Sequence, residues 1–165
     1  HARKGVDVLA RAFAQVAGDA RLVIAGPDEG MLSTLRALAA DDVRIVLTGF
    51  LDGEARLGAL AAADVFALPA TGEGLSVAAL EAMAAGVPLL LSPGCYLPEA
   101  AEAGAGVIVA PQVAPLAEAL RAMLGDAALR GRMGMAARVL ARDRFSWSSV
   151  AERWDALYAG LVNLL

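Results

Sequence analysis

The sequence predicts an α/β domain in which a parallel sheet is covered by helices on both faces. Short apolar runs bounded by Gly or Pro alternate with longer segments of helical spacing, the order expected of strand–helix–strand units. Within the runs, consecutive positions are apolar, which suits strands buried on both sides by crossover helices. A chain of 165 residues, 58% of them hydrophobic, fits a single domain over 1–165 with one core.

The expected strands are 21–25, 43–48, 64–68, 87–91 and 107–110. Val6, Leu9, Ala10, Phe13 and Val16 mark a first helix, and Met31, Leu32, Leu35 and Leu38 a second, by i, i+3, i+4 spacing. Leu57, Leu60 and Ala61 mark a third. A fourth, 75–85, stops at Gly86 with Pro88 beyond it, a common way to end a helix before a strand. After the last strand come helices at 116–124, 129–141 and about 148–164, with Ser146 or Ser148 as candidate cap of the last.

Net charge is −4, from 14 basic and 18 acidic residues, which excludes the basic footprint of a nucleic-acid binder. Arg130, Arg132, Arg138, Arg142 and Arg144 fall at roughly helical intervals and read as a solvated helix face. No run reaches the roughly 18 apolar residues of a membrane span. The opening His-Ala-Arg-Lys enters a helical pattern directly, without a signal-peptide pattern. A single cysteine, Cys95, excludes an internal disulfide and fits a reducing, cytoplasmic setting. With His1 the only histidine, Cys95 has no obvious base and is a poor candidate nucleophile.

In open α/β sheets ligands bind beyond the carboxyl ends of the strands. Three loops should open there: 26–30, 69–74 and 92–95. Their glycines permit close backbone approach, and a following helix offers unpaired N–H groups to an anion. Glu81 is the only charged residue between Leu75 and Leu91, and a carboxylate left unpaired among apolar neighbours is costly. Either a neighbouring donor satisfies it, or it reaches the crevice and accepts hydrogen bonds from ligand hydroxyls. Glu73, flanked by Gly72 and Gly74, reads either as a first-turn charge favoured by the helix dipole or as an exposed contact residue. No Gly-x-Gly-x-x-Gly joins a strand to a helix, which disfavours a dinucleotide-dependent dehydrogenase.

Glu73-Gly74-Leu75, followed after seven intervening residues by Glu81-Ala82-Met83-Ala84-Ala85-Gly86-Val87-Pro88, resembles the E-x7-E signature of the group 1 (family 4) retaining glycosyltransferases of GT-B fold. Lys4-Gly5-Val6-Asp7, Ile24-Ala25-Gly26-Pro27, Thr48-Gly49-Phe50-Leu51, Ala63-Asp64-Val65-Phe66 and Phe145-Ser146-Trp147 follow in the family's order, so the resemblance covers almost the whole chain. It implies a Rossmann-like domain corresponding to the C-terminal, donor-binding half of such an enzyme. The implied reaction is hexosyl transfer from a nucleotide-diphosphate-sugar to an acceptor.

Position by position, the resemblance implies that Glu81 holds the donor's ribose hydroxyls and Glu73 contacts hydroxyls of the donor sugar. Lys4 would meet the diphosphate, together with the backbone N–H groups of Gly74, Leu75 and Ser76. Phe50-Leu51 would border the base, and Gly26 would lie near the donor. It further implies no cofactor and no metal; lysine, backbone and helix dipole would stabilise the departing diphosphate. Ser76 departs from the family's usual glycine and offers a hydroxyl there, and Cys95-Tyr96 also departs from the usual pattern.

The family's phosphate-binding arginine, its first strand and the acceptor-binding amino-terminal domain are expected to lie outside residues 1–165, leaving a gap in the sheet. The isolated fragment is then expected to bind donor weakly and transfer almost nothing. A non-catalytic nucleotide-binding module of the same fold is the alternative. Retention of Lys4, Glu73 and Glu81 together argues against it, and the spacing of the acids argues against a GT-B epimerase or phosphorylase.

Overall fold

The computed structural model describes residues 1–162. A 3-10 turn at Ala2–Lys4 leads into helix α1 (Val6–Phe13), then strand β1 (Leu22–Ala25), α2 (Leu32–Asp41), β2 (Ile45–Gly49), α3 (Gly53–Ala61) and β3 (Phe66–Leu68). Helix α4 (Val77–Ala85), β4 (Leu89–Leu91), a 3-10 turn at Pro93–Cys95, α5 (Glu99–Glu102) and β5 (Gly106–Ile108) follow. Three helices close the order: α6 (Val113–Gly125), α7 (Ala127–Phe145) and α8 (Trp147–Val162).

All strand pairs are parallel, as expected, but they form two sheets, β1-β2 and β3-β4-β5. The two sheets share no ladder hydrogen bonds. In the larger sheet β4 is buried at every position. Leu89 and Leu91 join the core made with α4, α5 and α7, while Leu90 points the other way into the core of α1, α2 and α6. Helices on both faces are thus correct for this sheet. In β1-β2, α1 and α2 pack on one face, and Val23 and Val46 on the other are exposed. The apolar run could not distinguish the two cases, since Val and Ile favour strands whether one face or both are buried.

Several boundaries differ from expectation for local reasons. Strand β2 starts at Ile45 instead of residue 43, because Asp42 turns the chain: its carboxylate accepts the Arg44 backbone N–H at 3.0 Å and the guanidinium at 2.7 Å, and Val43 is left in solvent. Helix α4 starts at Val77, not residue 75, because Ser76 caps it by accepting the Ala79 N–H at 3.3 Å. Helix α6 starts three residues early and accommodates Pro115 in its first turn, where an N–H has no helical partner. Helix α7 likewise starts early, at the Asp126 cap, whose carboxylate accepts the Leu129 N–H at 2.8 Å. Helix α5, a single turn behind Pro98, shows no periodicity over four residues and was not expected. Ser146, not Ser148, caps α8 by accepting the Ser149 N–H at 3.2 Å; the expected end of that helix, at residue 164, lies outside the described residues.

The arginines of α7 are not simply a solvated face. Arg130 donates to the Met123 and Leu124 carbonyls and pairs with Asp64 at 3.3 Å, and Arg138 donates to the Ala85 carbonyl at 2.8 Å. Both close the C-terminal ends of neighbouring helices, where cations and donors meet unsatisfied carbonyls.

Candidate functional site

The site is assembled where the 3-10 turn at the start of the chain meets the loops after β3 and β4. Thr71 donates its backbone N–H to the Arg3 carbonyl at 2.8 Å and its hydroxyl to the same oxygen at 3.3 Å. The Glu73 N–H reaches the Gly94 carbonyl at 2.8 Å, and the Ser92 hydroxyl donates to the Ala70 carbonyl. Two glycines permit this lacing. Gly5 has φ +65°, and a Cβ there would collide with the Pro69 carbonyl; a Cβ on Gly94 would collide with the Ala70 carbonyl.

This lacing sets Lys4 against Glu73, with Nζ 3.6 Å from Oε1. Glu73 is only 17% exposed and its second oxygen, Oε2, is buried without a hydrogen bond. Glu73 precedes the Ser76 cap of α4 instead of lying in the first turn, so the first-turn reading does not hold. Gly74 and Leu75 lead into that helix start. The Ser76 hydroxyl is buried and serves as the cap, so it does not face the crevice as an extra polar contact.

Glu81 stands in the second turn of α4. Its Oε1 lies 2.9 Å from an Nη of Arg56, on α3, and its Oε2 is again buried without a partner. The two acids are therefore built alike: one oxygen on a cation, the other orphaned. An unmet buried acceptor costs about 1–3 kcal/mol, and more when charged. Two such atoms, one on α4 and one just ahead of it, are buried acceptors without a partner. Of the two readings of Glu81 left open by the sequence, the neighbouring partner is present for one oxygen, which pairs with Arg56.

Gly26 and the Phe50-Leu51 turn follow β1 and β2, and the Gly26 N–H donates to the Gly49 carbonyl at 2.8 Å. Phe50 is 69% exposed, as a residue free to stack on a planar ligand would be. The turn leads directly into α3, which packs on α4. Among the described residues, no hydrogen bond or ion pair joins Gly26, Phe50 or Leu51 to Glu73 or Glu81. Lys4 and Glu73 are joined by an ion pair, Gly74, Leu75 and Ser76 lead into α4 and Glu81 lies on it, while Gly26, Phe50 and Leu51 follow the strands of the smaller sheet.

Arg56 was missed by sequence reasoning. A single arginine on a helix carries no spacing signal, and only the packing of α3 on α4 reveals it. Cys95 is buried and its thiol donates to the Leu68 carbonyl at 3.1 Å, a structural role consistent with the low expectation for reactive chemistry. Among the described residues no group of three or more His, Cys, Asp or Glu side chains is arranged to hold a metal, and no helix is long and apolar enough to cross a membrane.

Residues 1–126 match the family described as glycosyl transferases group 1. The chain is 37% identical over 163 residues to the GDP-mannose-dependent monoacylated alpha-(1-6)-phosphatidylinositol monomannoside mannosyltransferase of Corynebacterium glutamicum, covering 92% of this chain and 42% of that protein. It is 32% identical over 179 residues to the D-inositol 3-phosphate glycosyltransferase of Corynebacterium diphtheriae, covering 98% of this chain and 40% of the relative. Among solved structures it is similar to sucrose-phosphate synthase from Thermosynechococcus elongatus, with a TM-score of 0.84 at 27% identity, over 100% of this chain and 44% of that one. The chain thus spans less than half the length of these relatives.

Proposed function

The chain belongs to the group 1 glycosyltransferases, and from that premise we propose that residues 1–165 bind the nucleotide-diphosphate-sugar donor of a retaining sugar transferase. The observation that carries the reading is the pair Glu73 and Glu81, each with one oxygen on a cation and one buried and unpartnered, on and just ahead of one helix.

A donor laid along α4 puts its diphosphate at the helix start, where the backbone of Gly74, Leu75 and Ser76 and the ammonium of Lys4 meet it. Glu73 accepts from hydroxyls of the sugar and Glu81 from those of the ribose, with the base toward Phe50-Leu51 and Gly26. Charge building on the leaving diphosphate is met by Lys4 and the helix dipole, without metal or cofactor. The acceptor is held mainly by parts of the protein outside this chain, and the enzyme works in the cytoplasm. Names of relatives such as the GDP-mannose-dependent mannosyltransferase favour a hexose donor.

Calorimetric titration of the 165-residue chain with UDP, GDP and ADP tests this. One nucleotide should bind, and Glu81→Ala should weaken it at least tenfold, about 1.4 kcal/mol. Binding indifferent to Glu81 would overturn the placement of the ribose. A non-catalytic module would bind the nucleotide but, joined to the rest of the protein, would transfer no sugar.

A further inference from the structure

We propose that Arg56 is a positioning residue for Glu81: its guanidinium holds one carboxylate oxygen and so sets the orientation in which the acid meets the ribose hydroxyls of a nucleotide. The inference rests on the nucleotide-binding reading above. Arg56 comes from α3 and Glu81 from α4, and the 2.9 Å contact ties the two helices at the site. Arg56 is 48% exposed while Glu81 is 22% exposed, so the acid is the sheltered partner and the cation the solvated one. Such a pair adds little to stability, which leaves orientation as its main effect.

The terminal torsion of a glutamate is broad, and a carboxylate with no partner samples a wide arc. The ion pair from one guanidinium nitrogen to Oε1 restricts that arc. Glu81 Oε2 is buried without a hydrogen bond, so the carboxylate keeps unmet acceptor capacity beside the oxygen that Arg56 holds. Arg56 also lies one turn beyond the Phe50-Leu51 turn, so contact with a base at that turn bears on the helix that carries it. Lys4 and Glu73 repeat the scheme at the other end, but with a point charge, which also remains free to meet phosphate.

The test is ribose discrimination. The tightest of GDP, UDP and ADP is titrated into the 165-residue chain beside its 2′-deoxy and 3′-deoxy counterparts, for the natural sequence, Arg56→Met, Arg56→Lys, Glu81→Ala and the Arg56→Met/Glu81→Ala double variant. The natural chain should prefer the ribonucleotide by about tenfold or more, as expected for hydrogen bonds to a charged acceptor. Arg56→Met should collapse that preference with little change in melting temperature, Arg56→Lys should restore part of it, and the double variant should be no worse than Glu81→Ala alone. Equal weakening of ribo and deoxy forms by Arg56→Met, or an unchanged ratio, overturns the proposal. If Glu81→Ala itself leaves the ratio unchanged, the ribose role of Glu81 has failed and the role of Arg56 falls with it; a failure confined to Arg56 leaves Glu81 standing.

Discussion

Lys4 and Glu73 stand 3.6 Å apart although one lies in the first turn of the chain and the other beyond the third strand. The backbone bonds from Thr71 to Arg3 and from Glu73 to Gly94 hold them there, so the ion pair is a product of loop lacing.

If Lys4 meets a diphosphate, Lys4→Met should weaken binding of a nucleoside diphosphate by about tenfold, and of the monophosphate by much less, since a charge-assisted contact is lost only where the second phosphate sits. Calorimetry with both ligands checks this. Equal losses would mean that Lys4 acts only by holding Glu73.

Gly5→Ala should destabilise the domain by at least about 1–2 kcal/mol, because a non-glycine residue is strained in the left-handed region and the new Cβ meets the Pro69 carbonyl. Urea unfolding gives the loss. Nucleotide binding should fall with it, because the turn carrying Lys4 shifts. Unaltered binding at lower stability would show that the site tolerates movement of that turn.

Asp42 is held below the usual carboxylate range, first by the hydrogen bond from the Arg44 guanidinium and then by the Arg44 backbone N–H. A depressed folded value contributes stability that is complete above the unfolded value of about 3.9 and is lost as pH falls through the lower folded value. The stability difference between the natural chain and Asp42→Asn should therefore be flat from neutral pH down to about pH 5 and shrink below about pH 4. Denaturant titrations at each pH measure it. Asp28 and Asp143 are depressed as well, and comparison with the Asn variant separates their share of the acid limb.

Cys95 should react with a disulfide reagent only as fast as the domain opens, because its thiol is 1% exposed and bonded to the Leu68 carbonyl. Reaction rates measured against urea concentration should follow the unfolding transition. Fast labelling in native buffer would contradict the buried placement.

The strands and the acid on α4 were legible because their signals are local. Apolar runs between Gly and Pro mark the strands, and Glu81 stands out as the single charge in an apolar helix. What was not legible depends on side chains meeting across elements. The delayed start of β2 follows from one Asp–Arg turn, the exposure of Val23 and Val46 on β1-β2 from helices that pack on the other face, and the orphaned oxygens from pairs brought together by α3 and the opening turn. Arg56 belongs to this second group. Its sequence neighbours are ordinary helix formers, and its partner is specified only by how two helices pack.

Helix α1 touches both β1 and β3, strands that share no hydrogen bonds. The base end of the proposed site, at Gly26 and Phe50, therefore rides on one sheet and the Lys4–Glu73 end on the loops of the other. Their separation is set by the seating of Leu9, Ala12 and Phe13 in a shared apolar core, not by a continuous backbone ladder. A nucleotide spanning both would act as a clasp. Amide exchange in β1 and β2, faster than in β4 for the free chain, should slow most when that clasp is in place, and the bite of the site becomes an angle between two sheets that a single helix can tune.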